Sequence, residues 1–360
     1  MTSLLSKSAP LALAAAMALS PMLAPTAAFA VPAGGYADLV EEVAPAVVFI
    51  EVTSLAKAGM QLPPNIPQAL RKQLEDQMSQ GAPRGGLGSG FLISADGKIV
   101  TNNHVVADAQ TVRVTLTDGR KFDAEVVGTD VATDIALLSI KADVDLPFVK
   151  FGASDDMRVG DEVVAVGNPF GLSSTVTTGI ISAKARDINS GPYDEFLQTD
   201  AAINRGNSGG PLFNNAGDVI GMNTAILSPD GGSVGIGFAV PSDVVSEVVA
   251  DLGADGSVTR GWLGVSIRPM SDEVANVLGY DASKGAVVEA VSADSPADTA
   301  GLERGDIILD FDGTAIDTLR DLTRAVAAKD PDDKTSLTVL RRGKEMKMDV
   351  TIGVLAPQKT

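Results

Sequence analysis

The sequence predicts a mainly β fold in which two all-β halves precede a smaller α+β unit. Short runs rich in valine and isoleucine follow one another between residues 46 and 240, at the spacing typical of strands in barrels. Asp96-Gly97 and Asp118-Gly119 separate such runs and are typical of tight hairpin turns. The pattern changes after Gly253, and the remaining stretch of about 100 residues has the ordinary size of a separate domain.

Residues 1–30 have the composition of a secretory signal peptide. One basic residue, Lys7, precedes a stretch rich in alanine and leucine, which ends in Ala28-Phe29-Ala30. This small-x-small ending suits cleavage after Ala30, and the proline-broken stretch is too short to span a membrane. We therefore expect an exported protein with no stable membrane span after cleavage. An uncleaved anchor is the alternative, because the charge before the apolar stretch is weak.

The composition indicates a globular protein exported to a periplasm and argues against a zinc site. The chain has no cysteine, one histidine and a formal net charge of −18. A chain of this size can bury a sufficient core without disulfides, which suits export to a bacterial periplasm. One histidine and no cysteine cannot build a zinc site of nitrogen and sulfur ligands, so no cofactor is expected. The negative charge argues against nucleic acid as a partner.

The elements of the two halves follow from strand-length apolar runs. A short amphipathic helix is expected at Ala37–Val43, stopped by Pro45. The strands expected in the first half are Ala46–Val52, Phe91–Ile93, Ile99–Asn102, Thr111–Leu116, Asp123–Val127 and Ile135–Ile140. Those expected in the second half are Glu162–Gly167, Ser174–Ala183, Phe196–Thr199, Val219–Asn223 and Gly235–Val240.

One long stretch interrupts the first half. Residues 55–86 contain three prolines, a helical pattern over Gln68–Met78 and a glycine-rich end. We interpret them as a long variable loop that is either mobile or functional. The following Gly88-Ser89-Gly90 lacks the lysine of a phosphate-binding loop and is interpreted as a turn.

A helix closes the second half. Apolar residues recur at helical spacing from Val244 to Leu252, which predicts a helix ending at Gly253. Ala254–Ser257 is interpreted as a polar, flexible link to the last unit.

A glycine-flanked serine is the strongest chemical signal in the chain. In Gly206-Asn207-Ser208-Gly209-Gly210-Pro211, glycines let the backbone adopt conformations that side chains forbid. The amides of Gly206 and Ser208 could therefore point into one space beside the Ser208 hydroxyl and form an oxyanion hole. A serine hydroxyl also needs a base to act as a nucleophile near neutral pH.

The base and its orienting acid come from the first half. His104 is the lone histidine, and Asp134 precedes the apolar run Ile135–Leu138; Asp130 and Asp118 are nearby competitors for the acid. The order His, Asp, Ser is that of the two-barrel chymotrypsin-type proteases, which this arrangement resembles. Such a triad would assemble in the cleft between the two halves.

The last unit resembles a PDZ domain. Its features are Arg260-Gly261-Trp262-Leu263-Gly264-Val265, Ser295-Pro296-Ala297 with Ala300-Gly301-Leu302, and Gly305-Asp306-Ile307-Ile308 with Asp312-Gly313. The loop of Arg260, Gly261, Trp262, Leu263 and Gly264 would offer amides to a peptide C-terminal carboxylate. Strand Val265–Ile267 would pair with the peptide, and a helix at Leu319–Ala328 would form the other wall.

The whole chain after residue 36 is similar to HtrA/Deg-type serine proteases. The most specific stretches are Thr101–Val106, Thr133–Leu138, Gln198–Pro211 and Gly235–Pro241. The resemblance implies a chymotrypsin/trypsin-like double β-barrel over 31–257 and a PDZ domain over 258–356.

The same resemblance assigns roles. It makes Ser208 the nucleophile, His104 the general base and acid, and Asp134 the residue that fixes the histidine tautomer. It also implies a regulatory sensor loop at Arg186–Glu195, a homotrimer or a multiple of it, and unfolded polypeptides as substrates.

Two positions depart from the digestive proteases. Asn207 replaces the aspartate that pairs there with a newly cut N-terminus, so activation by propeptide cleavage loses its charge partner. The base of the specificity pocket would be neutral Ala202, which disfavours basic P1 residues. The other residues assigned to substrate binding are Thr224, Ala225, Ile226 and Ile236. A single PDZ unit stands where many family members have two, which argues against large cage-like assemblies.

Two alternatives to general proteolysis remain open from the sequence. A chaperone or holdase could retain unfolded chains in the cleft and the PDZ groove without cutting them. A regulatory, site-specific protease of an envelope stress pathway would use the same triad on one substrate.

Overall fold

The computed structural model describes residues 35–54, 84–169, 174–204, 206–229, 231–279 and 284–355. From Ala37 onward these residues form one compact unit. The predicted signal peptide at 1–30 and the predicted helix at Gln68–Met78 lie outside the described residues. Across the part of the chain that is described, no helix is long and apolar enough to cross a membrane.

The first half is a closed six-stranded antiparallel barrel. A helix α1 (Ala37–Val43) and a 3₁₀ turn (Ala44–Ala46) precede it. Its strands are β1 (Val47–Ser54), β2 (Arg84–Leu92), β3 (Lys98–Asn102), β4 (Thr111–Thr115), β5 (Lys121–Asp130) and β6 (Ile135–Ser139), in the order β1-β2-β3-β6-β5-β4. Both predicted Asp-Gly hairpins are confirmed, between β2 and β3 and between β4 and β5, with Gly97 and Gly119 at positive φ.

The second half repeats this architecture. Its strands are β7 (Glu162–Gly167), β8 (Thr175–Arg186), β9 (Phe196–Thr199), β10 (Pro211–Phe213), β11 (Val219–Ile226) and β12 (Gly237–Pro241), in the order β10-β11-β12-β9-β8-β7. Only β10 lacks a sequence-based prediction, because three residues are too few to show a period. Buried Val163, Leu197, Leu212 and Ile220 fill the barrel. The predicted mainly β double barrel is therefore confirmed.

Two predictions in the first barrel are wrong at their boundaries. Residues 84–86, which we assigned to the variable loop, already belong to β2 and pair with β1. Gly88-Ser89-Gly90 is not a turn but the middle of β2. Glycine at 88 and 90 serves packing, because an added Cβ would lie 2.7 Å from a Val105 methyl or 2.8 Å from Ile50 Cδ1.

The helix after the second barrel is longer than predicted. Helix α3 spans Ser242–Asp255, passes through Gly253 and ends at Gly256, which adopts the left-handed conformation. Two residues of the expected flexible link, Ala254 and Asp255, belong to this helix, and the Gly256 backbone lies against the first barrel: a Cβ on Gly128 of β5 would lie 2.4 Å from the Gly256 carbonyl oxygen. The buried apolar side chains of α3, Val245, Val248, Val249 and Leu252, all precede Gly253, and the left-handed Gly256 caps the helix where we had expected Gly253 to do so.

The last unit is the predicted small α+β domain. It comprises β13 (Gly261–Trp262), β14 (Val265–Pro269), α4 (Asp272–Leu278), β15 (Ala286–Val291), α5 (Pro296–Ala300), β16 (Ile307–Phe311), β17 (Thr314–Ala315), α6 (Leu319–Ala327), β18 (Lys334–Arg341), β19 (Lys344–Thr351) and β20 (Gly353–Val354). Helix α2 (Asn103–Val106) lies in the first barrel, between β3 and β4. The main sheet has the order β14-β15-β16-β18-β19. A capping box of Thr318 and Asp321 starts α6, which buries Leu322 and Val326 in the core.

Candidate active site

His104 and Asp134 meet at the edge of the first barrel. His104 lies on the single-turn helix α2 directly after β3, and Asp134 directly precedes β6, which pairs with β3. One Asp134 carboxylate oxygen accepts a 2.8 Å hydrogen bond from the His104 backbone amide, and the other lies 2.7 Å from His104 Nδ1. A carboxylate can only accept, so Nδ1 carries the proton and Nε2 is left as an acceptor.

The backbone of Asp134 is fixed in an unusual conformation. Its φ is +58°, in the left-handed region that aspartate tolerates better than bulkier residues. Its carbonyl accepts hydrogen bonds from the Asn103 amide at 3.0 Å and the Asn102 side-chain amide at 3.1 Å. These bonds hold the turn before β6 against the end of β3, so the carboxylate faces His104.

The two competing aspartates contact other groups. Asp118 pairs with Arg120 in the exposed β4–β5 turn. Asp130 accepts hydrogen bonds from Thr133 and a two-pronged ion pair from Arg260. Of these three aspartates, Asp134 is therefore the one that contacts His104.

The Ser208 loop of the second barrel presses against the end of β3. Gly209 has φ +80°, and a Cβ there would lie 2.3 Å from the Ser89 carbonyl oxygen and 2.5 Å from Thr101 Oγ1. The Ser208 carbonyl accepts a 3.0 Å hydrogen bond from the Ser89 amide. Only glycine allows this approach, which brings Ser208 beside the segment that carries His104.

A second hydrogen bond joins the two barrels on the other side of the site. Buried Asn102, two residues before His104, donates a 2.8 Å hydrogen bond to Thr224 on β11. Thr224 also lines the cavity beside Ser208. The segment that carries His104 and one wall of this cavity are thereby held together.

The loop before Ser208 is held by an amide side chain rather than by a charge. Buried Asn207 accepts from the Asn204 amide at 2.9 Å and donates to the Ala202 carbonyl at 3.1 Å. An aspartate could accept the first bond but not donate the second, which explains why asparagine suits this position.

One predicted oxyanion donor is engaged within the loop. The Gly206 amide donates a 2.8 Å hydrogen bond to the Asn204 carbonyl. The Gly206 amide must therefore leave the Asn204 carbonyl before it can face a substrate oxyanion. This conformation keeps one of the two predicted donors out of the site.

A cavity of about 250 Å³ opens beside Ser208. Of the predicted substrate-binding residues, Thr224, Ala225 and Ile226 line it, whereas Ala202 and Ile236 do not. Sequence reasoning missed the remaining lining residues Asn204, Ser228 and Gly231. Asn204 lies within the stretch Gln198–Pro211 that carries the family resemblance, but its place at the cavity depends on tertiary folding.

A second groove runs along the PDZ-like unit between β14 and α6. Gly261, Trp262, Leu263 and Gly264, which we assigned from the sequence to a carboxylate-binding loop, line it. An added Cβ on Gly261 would lie 2.2 Å from the Val326 carbonyl oxygen, so the loop packs directly on α6.

Arg260 does not line this groove, contrary to its assignment. Its guanidinium forms two hydrogen bonds with Asp130, at 2.9 and 2.6 Å, and lies 4.6 Å from the centre of the Tyr193 ring. Tyr193 belongs to the predicted sensor loop and itself lines the groove. The side chain of Arg260 thus joins the last unit to the turn that carries Asp134.

Ion pairs join helix α6 to the same sensor loop. Arg320 lies 2.7 Å from Asp187, and Arg324 pairs with Glu195. All four side chains are partly exposed, so each pair contributes little to stability by itself. Together with Arg260, they connect the groove wall to the loop between β8 and β9.

The Arg260–Asp130 pair makes a pH-dependent contribution to stability. Burial opposes ionisation of Asp130, but hydrogen bonds from Arg260 and Thr133 outweigh it and hold the pKa of Asp130 below its ordinary value. The contribution is therefore complete above that ordinary value, about 3.9, and is lost as the pH falls through the lower folded value. Asp130→Asn should cost about 3 kcal/mol at neutral pH, because it leaves Arg260 buried without its partner.

Chemical denaturation of both proteins across the acid range measures this effect. The difference between wild type and Asp130→Asn should shrink below about pH 4. A difference that stays constant into strong acid would contradict the assignment. Asp118→Asn, which removes an exposed pair, is the matched control.

The double barrel and its His-Asp pair beside a serine loop define a chymotrypsin-type serine protease, whose barrels are followed by a small α+β unit. A family model of the trypsin-like peptidase domain matches residues 88–222, and one of the PDZ domain matches residues 261–352. The chain belongs to the family of periplasmic, DegP-like serine endoproteases of the HtrA type, which also confirms the periplasmic location.

Relatives and solved structures support this membership. A probable periplasmic serine endoprotease, DegP-like, from Brucella suis biovar 1 is 45% identical over 91% of this chain and 70% of its own length. One of the same name from Marinomonas sp. is 46% identical over 88% of this chain and 71% of its own length. The structure of the HtrA-type protease AlgW with tripeptide superposes with a TM-score of 0.76 at 41% identity, covering 90% of this chain and 98% of that one.

Proposed function

We propose that the chain cleaves unfolded exported polypeptides with Ser208 as nucleophile, His104 as general base and acid, and Asp134 as the residue that orients the histidine. The observation that carries this proposal is the two-point contact of Asp134 with His104. It fixes the imidazole with Nε2 as the free acceptor, on the segment against which the Ser208 loop packs.

The chemistry follows from these groups. Nε2 of His104 takes the Ser208 proton as Oγ attacks the scissile carbonyl carbon. The carbonyl oxygen becomes an oxyanion, which the Ser208 and Gly206 amides would stabilise. The imidazolium, held by Asp134, returns its proton to the leaving amine. A water molecule then repeats the attack on the acyl enzyme and releases Ser208.

We further propose that activation consists of freeing the Gly206 amide. In the observed loop this amide donates to the Asn204 carbonyl, so turnover requires a second conformation in which it faces the substrate. A ligand can drive this change only by binding the second conformation more tightly. Because Asn207 offers no charge for a new N-terminus, we propose that the signal comes from the PDZ groove.

The groove is proposed to bind apolar C-terminal peptides, with the amides of residues 261–264 on the carboxylate and β14 pairing with the peptide. Tyr193 lines the groove and stacks on Arg260, which pairs with Asp130. These contacts form a path from the groove to the turn of Asp134.

We expect a free-acid peptide to bind to the full chain and to raise its turnover, whereas the same peptide with a C-terminal amide should do neither. Calorimetry measures the binding, and the rate of substrate hydrolysis measures the turnover. Equal binding by both would contradict carboxylate capture.

The cavity beside Ser208 supports a preference for small or branched apolar P1 residues. No charged side chain lines it among the described residues, so a buried lysine or arginine of the substrate would lack a partner. Digestion of an unfolded protein, with mass spectrometry of the fragments, should show cuts after Val, Ala or Ile. The natively folded form of that protein and Ser208→Ala serve as controls. A preference for Lys or Arg would contradict the pocket assignment.

The domain limits and assembly are part of the same proposal. Helix α3 ends at Asp255 and β13 begins at Gly261, which supports a protease domain at 31–257 and a PDZ domain at 258–356. The homotrimer rests on the family resemblance.

A further inference from the structure

We propose that Ser89 is a positioning residue for the oxyanion loop: its hydroxyl and amide hold the loop from the opposite barrel. The inference rests on the proposed role of Ser208 and extends it to a residue of the first barrel. Ser89 is fully buried and does not line the cavity beside Ser208.

The pleat of β2 explains why this one side chain reaches the second barrel. Side chains alternate between the two faces of a strand, and residues 88 and 90 are glycines whose Cα atoms pack against Val105 and Ile50 of the first barrel. Ser89 between them faces the other way, toward the Ser208 loop. Gly88-Ser89-Gly90 therefore has no side chain on the face of β2 that packs on the first barrel and presents one hydroxyl on the opposite face.

Three hydrogen bonds place Ser89 at the junction of two loops. Its hydroxyl donates to the Gly206 carbonyl at 2.6 Å and accepts from the Asn168 amide at 2.8 Å. Its own amide donates to the Ser208 carbonyl at 3.0 Å. Ser89 thus binds the carbonyls of the two residues that flank Asn207, namely Gly206 and the proposed nucleophile Ser208.

Close packing around these hydrogen bonds restricts the positions that the Gly206 carbonyl can adopt. A Cβ on Gly206 would lie 2.4 Å from Pro169 Cβ, and a Cβ on Gly167 would lie 2.6 Å from Asn207 Cα. The Gly206 carbonyl is therefore confined between the loop of residues 168–169 and β2. The Ser89 hydroxyl is the group that satisfies it there.

These contacts fix which part of the loop can move. The carbonyls of Gly206 and Ser208 are held by Ser89, whereas the Gly206 amide is held only within the loop, by Asn204. The Gly206 amide can therefore leave Asn204 while the two carbonyls stay in place. Ser89 holds these carbonyls during the change, and loss of its hydroxyl should misplace the Gly206 amide in the transition state.

The test compares two buried serines of the full-length chain. Ser89→Ala removes the hydroxyl and keeps the backbone amide bond. Ser242→Ala is the matched control, because Ser242 is also fully buried and its hydroxyl also donates to a backbone carbonyl at 2.6 Å, that of Gly152. Both variants are assayed per mole of folded protein for kcat, KM, thermal midpoint and affinity for a peptide boronate, with a product peptide as the ground-state ligand.

We expect Ser89→Ala to lower kcat by about 10- to 100-fold with KM nearly unchanged, because loss of one whole oxyanion donor costs about 10²- to 10³-fold. Boronate affinity should fall with kcat, and product-peptide affinity should not. Ser242→Ala should lower the thermal midpoint alone. If Ser89→Ala does not fold, Ser89→Cys, which keeps a weak donor, is judged by the same criteria.

The proposal is overturned if Ser89→Ala matches Ser242→Ala in kcat, or if boronate and product peptide lose affinity equally. Ser208→Ala is measured beside them. Retained turnover in Ser208→Ala would refute the proposed nucleophile itself. An inactive Ser208→Ala together with an unaffected Ser89→Ala would refute only the role of Ser89.

Discussion

Replacing Ser208 with alanine is expected to lower kcat for peptide-bond hydrolysis by about 10⁶-fold, the scale set by loss of a serine nucleophile that acts as a unit with its base. The thermal midpoint should change little, because Ser208 is only partly buried and its bond to Ser89 uses the backbone carbonyl. Hydrolysis of an unfolded protein, followed in wild type and Ser208→Ala at equal concentration, measures this effect.

A chelator provides the control for this first prediction. The proposed chemistry uses only side chains and backbone amides, so wild-type activity should survive chelation. Activity lost to a chelator and restored by zinc would contradict the proposed mechanism, as would a Ser208→Ala protein that still cleaves.

Replacing Asp134 with asparagine should lower kcat by about 10⁴-fold. The asparagine amide would donate where the carboxylate accepts, so the proton would move to Nε2 and the imidazole could no longer take the Ser208 proton. Rate measurements give the loss. Nitrogen NMR of the single histidine should show the changed tautomer directly.

The matched control for this second prediction is Asp118→Asn. Asp118 belongs to the same barrel and was a sequence-level competitor for the role, but it pairs with Arg120 on an exposed turn. It should keep full activity. A large loss in Asp118→Asn, or an unchanged histidine tautomer in Asp134→Asn, would contradict the assignment of the acid.

The sequence predicted the barrels because their strands are short apolar runs and two hairpins of the first barrel carry Asp-Gly turns, both of which are local signals. It failed where glycine serves tertiary packing instead of a turn. Gly88 and Gly90 lie in β2 because they admit Val105 and Ile50, and Gly253 lies within α3, where its Cβ position has 3.7 Å of space to Leu137 Cδ2. No local pattern distinguishes these glycines from those of turns.

At the candidate site, too, the sequence predicted the features that are local and missed those that depend on the fold. The order and contexts of His104, Asp134 and Ser208 are linear features, and the structure brings the first two into contact. The partner of Arg260 is 130 positions away in the chain, so its pairing with Asp130 could not be read locally. The engagement of the Gly206 amide by Asn204 depends on a loop conformation that several glycines leave open.

Covalent labelling with a peptidyl phosphonate ester that carries valine at P1 tests the central claim most directly. The account predicts one phosphonyl group per active chain, located on Ser208 by peptide mass spectrometry, with activity lost in proportion to labelling. Labelling should be strongly slowed in Asp134→Asn and absent in Ser208→Ala. Modification of a different residue, or full activity in completely labelled protein, would contradict Ser208 as the nucleophile.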